Sequence, residues 1–322
     1  MKTLTLIVPC YNEQDVLHLF YDETSKMISG ISAEYPTEIL FVDDGSRDNT
    51  LAIIKDLALR DPIVKYISFS RNFGKEAAML AGMEYAVKSD YIGILDADLQ
   101  HSPEIIPEML KYVDKEGYDV AAARREDREG EAKFRSFLSA SFYKVINKIS
   151  DTQISDSAQD FRVMRSDVVK AILSMPENIR FSKGIFSWVG FNVKWISHEN
   201  RERAAGQTKW SVTKLMKYAF DGILGFTSAP LRLSFVLSAV FAILTVGELI
   251  YALIRNIIDN LYSCAVPVIL AAVFFTGAAV LLTLGILGEY LARTYTEVKG
   301  RPKFIIAQTN TRQKYFDFSE GE

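Results

Sequence analysis

Residues 91–101 read YIGILDADLQH, an apolar run that ends in two carboxylates two positions apart. A short run of aromatic and β-branched residues without polar alternation predicts a buried strand. Asp96, Asp98 and Gln100 then occupy alternate positions, which an extended chain presents on one side. We therefore expect functional side chains at the end of this predicted strand.

Three similar β-rich runs precede this one, so the predicted strands cover residues 4–8, 39–42, 64–69 and 91–95. Helical periodicity follows each of them and begins near residues 13, 48, 75 and 103. In the sequence HSPE, Ser102 is expected to cap the last of these helices, with Pro103 in its first turn. Strands that alternate with helices predict an α/β domain with a mostly parallel sheet covered on both faces.

A polar cluster follows each predicted strand: PCYNE, DDGSRD, SRNFGKE and DADLQH. The carboxyl ends of parallel strands share one edge of the sheet, and ligands bind along that edge. The four clusters therefore predict an active-site cleft. The sequence contains neither a P-loop nor a G-x-G-x-x-G motif, so a bound phosphate must be neutralised in another way.

A divalent cation would meet that need and would also relieve the repulsion between Asp96 and Asp98. Carboxylate oxygens suit Mg²⁺ or Mn²⁺, which bind proteins through one or two carboxylates together with substrate phosphates. Gln100 adds a further oxygen. Asp96, Asp98 and Gln100 are therefore the predicted metal ligands.

The bulk composition excludes some functions. The 322 residues carry a formal net charge of −3, so no general basicity indicates nucleic-acid binding. The two cysteines, Cys10 and Cys264, lie in segments of very different character, which makes a disulfide improbable and favours a reducing compartment. The start, MKTLTLIVP, leads directly into polar sequence and does not have the pattern of a signal peptide.

The C-terminal third is expected to be embedded in a membrane. Residues 265–288 contain no charged residue, and residues 233–254 contain one, Glu248. Each stretch is long enough to cross a bilayer, so together they predict a transmembrane hairpin. Basic residues flank it on the outer sides, which by the positive-inside rule places both termini in the cytoplasm. These residues are Lys209, Lys214, Lys217 and Arg232 before it and Arg293, Lys299, Arg301 and Lys303 after it.

Four segments are predicted from this pattern. Residues 1–210 form a cytoplasmic catalytic domain, and residues 211–230 form a juxtamembrane segment with an amphipathic interfacial helix. Residues 231–291 form the two-helix hairpin, and residues 292–322 form a cytoplasmic tail. The alternative to the hairpin is a pair of buried helices in a soluble domain.

The motifs IVPCYNE, FVDDGSRDNT, SRNFGKEAAMLAGMEYA and ILDADLQHSPE resemble, in order and spacing, family 2 glycosyltransferases of the GT-A fold. The resemblance is strongest to the polyprenyl-phosphate branch, which includes dolichol-phosphate mannose synthases and bactoprenol glucosyltransferases, and it extends over essentially the whole chain. It implies that nucleotide-sugar binding falls to a set of residues at the strand ends. These are Pro9, Tyr11, Glu13, Asp43, Asp44 and Asp96, with Asp43 recognising the base.

The acceptor side is predicted from basic residues and from the same resemblance. Basic groups beside a bilayer suit a lipid phosphate. The resemblance favours Arg124, Arg135, Arg203 and Lys209 as its ligands, whereas Arg125 and Arg128 are expected to belong to a charged loop. It also implies that Asp160 is the catalytic base and that Asp98 is catalytic through the metal.

The expected activity is that of an inverting, metal-dependent hexosyltransferase. It would move one sugar, glucose from UDP-glucose, to undecaprenyl phosphate at the cytoplasmic face of a bacterial plasma membrane. UDP-N-acetylglucosamine, UDP-galactose and GDP-mannose remain possible donors. Three competing hypotheses are a processive synthase, a retaining or nucleotidyl transferase, and a non-catalytic membrane scaffold. The resemblance also implies a homo-oligomer, a tetramer.

Overall fold

The computed structural model describes residues 1–125, 147–148, 158–198, 224–225, 227, 229–259 and 265–311. The chain divides into two compact units. The first comprises Met1–Lys148, Thr152–Ala219 and Pro302–Glu322, and the second comprises Ile149–Asp151 and Phe220–Arg301. The predicted boundary at residue 210 and the predicted interfacial helix up to residue 223 lie outside the described residues.

Strands of the first unit form one mixed sheet. They are β1 Leu4–Cys10, β2 Thr37–Asp43, β3 Val64–Phe69, β4 Tyr91–Ile94, β5 Val120–Arg125, β6 Ala158–Arg165, β7 Val193–His198 and β8 Ile306–Thr309. Their order across the sheet is β7-β5-β6-β4-β1-β2-β3-β8. Strands β3, β2, β1 and β4 are parallel, as are β5 and β7, whereas β6 and β8 run antiparallel to their neighbours. The predicted mostly parallel sheet is confirmed.

Helices follow the first four strands as predicted. In the first unit they are α1 Leu17–Ile31, α2 Thr50–Arg60, α3 Lys75–Ala86, α4 Ile106–Lys115, α5 Ser166–Leu173 and α6 Ser182–Trp188. A 3₁₀ turn, Pro103–Ile105, leads into α4. Ser102 occupies the predicted cap position, but its hydroxyl makes no capping hydrogen bond and instead donates to Glu104. Helix α1 begins four residues later than predicted, because the backbone before it is hydrogen-bonded to the loop after β2.

The core lies on both sides of the central strands. Residues Leu6, Ile7 and Val8 of β1 are fully buried, and Phe20 of α1 packs edge to face on Phe41 of β2. Burial of each large apolar side chain stabilises the fold by about 1.5–3 kcal/mol. Helix α3 lies so close to β1 that a Cβ on Gly82 would come within 2.3 Å of an Ile7 methyl carbon. This packing fixes the start of α3, which carries site residues.

The second unit contains two long helices, α7 Ala229–Asp259 and α8 Ala265–Val298. Within the described residues, one stretch, Ala272–Val298, is long and apolar enough to cross a membrane, and the apolar stretch Ser238–Gly247 of α7 is shorter. The ring of Phe241 in α7 meets that of Phe275 in α8 edge to face at 4.3 Å. Both predicted segments are therefore helical, but a two-span hairpin is not confirmed and stays a prediction.

Candidate active site at the carboxyl edge of the sheet

The loops after β1 and β2 are joined by hydrogen bonds between backbone and side chains. The Asn12 N–H donates to Ser46 Oγ at 2.9 Å, and the Arg47 N–H donates to Asn12 Oδ1 at 2.8 Å. The Glu13 N–H donates to Thr50 Oγ1 at 2.8 Å. Asn12 has a φ of 53°, which turns the chain sharply at this point. Tyr11 and Glu13, predicted to bind nucleotide, are thus held beside the loop that carries Asp43 and Asp44.

Asp43 ends β2 and is only 1% exposed. Its Oδ1 accepts a hydrogen bond from the Ser46 N–H at 3.1 Å, and its Oδ2 accepts one from the Ser68 hydroxyl at 2.8 Å. Asp43 therefore shapes the loop between β2 and α2. Its predicted recognition of the base stays a prediction.

Asp44 joins that loop to the loop after β3. Its carboxylate accepts hydrogen bonds from the Phe73 N–H at 2.6 Å and from the Gly74 N–H at 2.9 Å. Burial raises the pKa of Asp44 to about 6, and these two N–H groups oppose the increase. The site thus contains a buried carboxyl group that titrates closer to neutral pH than an ordinary aspartate.

Gly45 brings the same two loops into backbone contact. Its φ is +66°, and a Cβ at this position would lie 2.4 Å from the carbonyl carbon of Arg71. An L side chain would meet both backbone strain and a clash. The Asp-Gly pair therefore does more than turn the chain, because it lets residues 70–74 pack directly against the end of β2.

Asp96, Asp98 and Gln100 lie just beyond β4. Their backbone forms a turn and not the predicted extended chain. Leu99 has a φ of 55°, and the Gln100 N–H donates to Asp98 Oδ1 at 3.2 Å. The three polar side chains are nevertheless partly exposed, whereas Ala97 and Leu99 between them are buried, as the predicted alternation requires.

These three residues fit a magnesium or manganese ion by the chemistry of their donors. Two partly exposed carboxylates and an amide supply oxygen, and such ions take their remaining ligands from substrate phosphates and water. Among the described residues, no cluster of three His, Cys, Asp or Glu side chains could hold a metal ion. A cation here would therefore depend on Gln100 and on the substrate as well as on the two aspartates.

Lys75, the first residue of α3, joins two predicted site residues that lie far apart in sequence. Its ammonium is 2.6 Å from Asp96 Oδ1 and 2.6 Å from Asp160 Oδ2. Burial alone would lower the pKa of Lys75, but Asp160 and Asp96 outweigh it and raise the pKa above its ordinary value. The side chains are 32%, 33% and 18% exposed for Lys75, Asp96 and Asp160, so a ligand can reach the cluster.

Sequence reasoning did not assign a role to Lys75. Its position in SRNFGKE, a polar cluster at a strand end, could have indicated a functional residue. Its partners Asp96 and Asp160 lie in other segments, so a local pattern does not reveal them. Lys75 supplies the site with a fixed positive charge.

Asp160 lies in β6, which pairs antiparallel with β4. Burial would raise the pKa of Asp160, but Lys75 and Lys183 hold it below its ordinary value, with a smaller contribution from Arg162. Arg162 donates to the carbonyls of Gln159 at 2.7 Å and Asp160 at 3.3 Å, and its guanidinium stacks 3.6 Å from the centre of the Phe186 ring. Burial lowers the pKa of Arg162 to about 10, although Asp160 opposes the change. Because its pKa is held below the ordinary value, Asp160 is anionic at neutral pH.

Helix α6 supplies Lys183, a second basic residue that sequence reasoning missed. The Ser182 N–H donates to Glu76 Oε1 at 3.1 Å, and the Ser182 hydroxyl also bonds Glu76. Glu76 directly follows Lys75 in α3, so this contact fixes the start of α6 next to the Lys75 cluster. The cluster thus combines two carboxylates with two lysines.

The predicted acceptor residues are only partly described. Arg124 is exposed near the end of β5, whereas Arg135, Arg203 and Lys209 lie outside the described residues. His101 stacks on Phe161 with ring centres 5.5 Å apart and is 8% exposed, which agrees with a structural role. The structure brings Asp96 and Asp160 together through Lys75, and the donor and lipid-phosphate roles remain predictions.

The fold is mixed α/β and GT-A-like, with a mostly parallel sheet and aspartates gathered at its carboxyl edge. A family model described as glycosyl transferase family 2 matches residues 5–173. The chain belongs to this family and is a glycosyltransferase.

Similarity to individual proteins extends over nearly the full length. CsbB of Bacillus subtilis (strain 168) is 41% identical over 311 residues, 97% of this chain and 93% of CsbB. The prophage bactoprenol glucosyl transferase homolog of Escherichia coli (strain K12) is 38% identical over 303 residues, 94% of this chain and 98% of that protein. The bactoprenol glucosyl transferase of Shigella phage SfV is 36% identical over 311 residues, 97% of this chain and 99% of that protein. The predicted family and the resemblance to its bactoprenol branch are confirmed.

Proposed function

We propose that this protein transfers a single glucose from UDP-glucose to a polyprenyl phosphate, undecaprenyl phosphate, with inversion at the anomeric carbon. Relatives named bactoprenol glucosyl transferase support both the sugar and the lipid, since they align with almost the whole chain. The reaction forms a bond between the lipid phosphate oxygen and C1 of the sugar and breaks the bond from C1 to the nucleoside diphosphate.

One observation carries the proposal: the Lys75 ammonium touches both Asp96 and Asp160. Asp96 belongs to the predicted donor side and Asp160 to the predicted acceptor side. A direct displacement requires the two halves of the reaction to lie within a few ångströms of each other, and the shared contact with one lysine supports that arrangement.

On the donor side, Pro9, Tyr11, Glu13, Asp43 and Asp44 form the wall of the nucleotide pocket in this proposal. Asp96, Asp98 and Gln100 would hold Mg²⁺ or Mn²⁺. When bound, such an ion supplies electrostatic stabilisation of the negative charge that develops on the leaving diphosphate. Lys75 adds positive charge beside Asp96, and Lys75 and Lys183 together add positive charge beside Asp160, whose pKa they lower.

On the acceptor side, Asp160 orients the incoming phosphate rather than removing a proton from it. A phosphate monoester has its second pKa near ~6, so it is already largely ionised at neutral pH. A carboxylate whose pKa is held below its ordinary value is moreover a weak base. Arg124, Arg135, Arg203 and Lys209 then balance the negative charge of the lipid phosphate.

The membrane arrangement is part of the proposal. The apolar stretch Ala272–Val298 supports membrane association, and α7 forms the second span of the predicted hairpin. The long tail of the lipid acceptor cannot leave the bilayer, so the catalytic unit must work at its surface. Both termini and the catalytic unit lie on the cytoplasmic side, and the protein assembles as a tetramer.

Transfer assays on the full chain in detergent test the proposal. Labelled UDP-glucose, UDP-N-acetylglucosamine, UDP-galactose and GDP-mannose are each offered with undecaprenyl phosphate, with and without Mn²⁺ or Mg²⁺. We expect a lipid-linked product from UDP-glucose that requires the lipid phosphate and the ion, and an inverted anomeric configuration. The Asp160→Asn variant is the matched control for background hydrolysis. Product from another sugar alone would refute the donor assignment, and no product from any donor would refute the reaction.

A further inference from the structure

The chain returns to the catalytic unit after α8. Residues 302–311, here called the returning tail, belong to the first unit, and β8 within it adds an antiparallel strand to the outer edge of β3. This segment lies outside residues 5–173, which the family model matches. The catalytic sheet is therefore completed by residues that follow the membrane segment in sequence.

The far end of the returning tail is fixed to β3 by side chains. The amide of Asn310 accepts from the Tyr66 N–H at 2.8 Å and donates to the Val64 carbonyl at 3.1 Å. The Thr309 hydroxyl donates to the Tyr66 carbonyl at 2.7 Å. These bonds pair backbone groups of an edge strand that would otherwise be open to solvent, and they set the register of the tail.

The near end of the returning tail contacts residues 70–74, the loop after β3 whose N–H groups donate to Asp44. The Ser70 N–H donates to the Ile305 carbonyl at 2.9 Å. The Phe304 ring stacks on Phe69 with centres 5.0 Å apart and planes 15° apart. Phe69 in turn meets Phe73 edge to face at 5.8 Å. The tail thus reaches Phe73 through one intervening aromatic ring.

Phe73 connects this aromatic stack to the nucleotide pocket. Its N–H donates to Asp44 at 2.6 Å, and Arg71 stacks its guanidinium 3.9 Å from the centre of the same ring. Residues 70–74 are therefore held from two sides, by Asp44 and Gly45 at the end of β2 and by the tail at the end of β3. Ordering an exposed loop costs conformational entropy, and contacts on both sides offset that cost while its N–H groups bond to Asp44.

We propose that Phe304 and Ile305 of the returning tail are positioning residues for nucleoside diphosphate binding. Phe304 acts through Phe69 and Phe73, and Ile305 through its hydrogen bond from the Ser70 N–H, on residues 70–74 and thereby on Asp44. This inference rests on the proposed nucleotide role of Asp43 and Asp44. The segment after α8 then contributes to the affinity for a nucleoside diphosphate and also protects the edge of the sheet.

Calorimetric titration of the full chain in detergent with UDP and Mg²⁺ tests the inference. Removal of the stacked ring in Phe304→Ala is expected to raise the Kd for UDP about three- to tenfold, the range of one aromatic pair. The KM for the sugar donor should rise in parallel, whereas kcat and the KM for the lipid acceptor stay within about twofold. Phe304→Tyr, which keeps the ring, should restore binding. Gln308→Ala is the matched control, since Gln308 lies on β8 but contacts Lys55 instead of the loop.

Hydrogen exchange separates positioning from simple edge protection. In Phe304→Ala, the amides of Phe73 and Gly74 should exchange faster, whereas edge protection alone predicts faster exchange only within β3 and at Ser70, whose N–H donates to the tail itself. Unchanged UDP affinity in Phe304→Ala would overturn the inference while leaving the proposed function intact. Failure of the wild-type chain to bind UDP or GDP would instead refute the proposed function. If Phe304→Ala does not fold, Phe304→Leu, which keeps apolar volume without a ring, decides by the same criteria.

Discussion

Lys75 and Asp160 lie 85 positions apart in sequence, and their side chains meet at 2.6 Å. The same ammonium also contacts Asp96, so one positive charge lies between a carboxylate just beyond β4 and a carboxylate of β6. Without that charge the two carboxylates would repel each other. The arrangement holds the pKa of Asp160 below its ordinary value and leaves both side chains partly exposed.

Replacement of Lys75 by methionine should therefore lower both stability and activity. The cluster is partly exposed, so we expect a loss of roughly 1–3 kcal/mol in unfolding free energy, below that of a fully buried pair. Turnover should fall at least tenfold, and Lys75→Arg should recover part of it. Urea unfolding and transfer assays measure these effects. The control is Arg60→Ala, which removes an exposed pair with Asp56 and should change neither quantity. Equal stability of Lys75→Met and wild type would contradict the bridging role.

The Asp98→Ala variant tests the metal assignment. Asp98 is partly exposed and accepts a hydrogen bond from the Gln100 N–H within its own turn, so folding and membrane insertion should persist while transfer is lost. Electron paramagnetic resonance of Mn²⁺ in the presence of UDP should show weaker binding by the variant. Near-normal turnover would remove the metal role from Asp98.

The Gly45→Ala variant tests the contact between the loops. A Cβ at Gly45 would clash with the Arg71 backbone and would sit at positive φ, so we expect a loss of roughly 1–3 kcal/mol in stability. UDP affinity should fall with it. Gly30→Ala in α1 is the matched control, because nothing lies within 4 Å of its Cβ position and alanine favours a helix. A variant as stable as wild type would show that the loops can separate without cost.

Asp44 predicts a pH dependence. Its folded pKa of about 6 exceeds the ordinary value of 3.8, so the folded state binds a proton more tightly than the unfolded state. The resulting stabilisation is complete below about pH 4 and is lost as the pH rises through about 6. Relative to Asp44→Asn, the wild type should lose roughly 1–3 kcal/mol of unfolding free energy between pH 4 and pH 7. Urea titrations at several pH values measure this difference, and a constant difference would contradict the raised pKa.

The Arg203→Ala variant tests the acceptor site. Loss of a guanidinium that binds the lipid phosphate should raise the KM for undecaprenyl phosphate about tenfold or more. The Kd for UDP should stay unchanged. Arg128→Ala, at a residue expected to lie in a charged loop, is the control and should leave both constants unchanged. An equal loss of donor and acceptor binding would contradict this placement.

Much of the site could be predicted because it lies at strand ends. The strands at 4–8, 39–42, 64–69 and 91–95 are visible as apolar runs, and parallel pairing places their carboxyl ends together. The edge position of Asp43, Asp44, Asp96 and Asp98 follows from that rule alone. The start of α1 was predicted too early because side chains of the next loop bind the backbone before it, a contact between segments that no local pattern shows.

Local patterns in the sequence are enough to predict the family, the alternating α/β order and the edge of the sheet that carries the aspartates. These properties depend on periodicity and on short motifs, which are local. Two contacts become visible in the folded chain alone: Lys75 joins Asp96 to Asp160, and the returning tail stacks Phe304 on Phe69. Such contacts depend on which strands become neighbours, and β6 and β8 enter the sheet out of sequence order. The free energy that selects those neighbours is summed over the whole core, so no single segment encodes it.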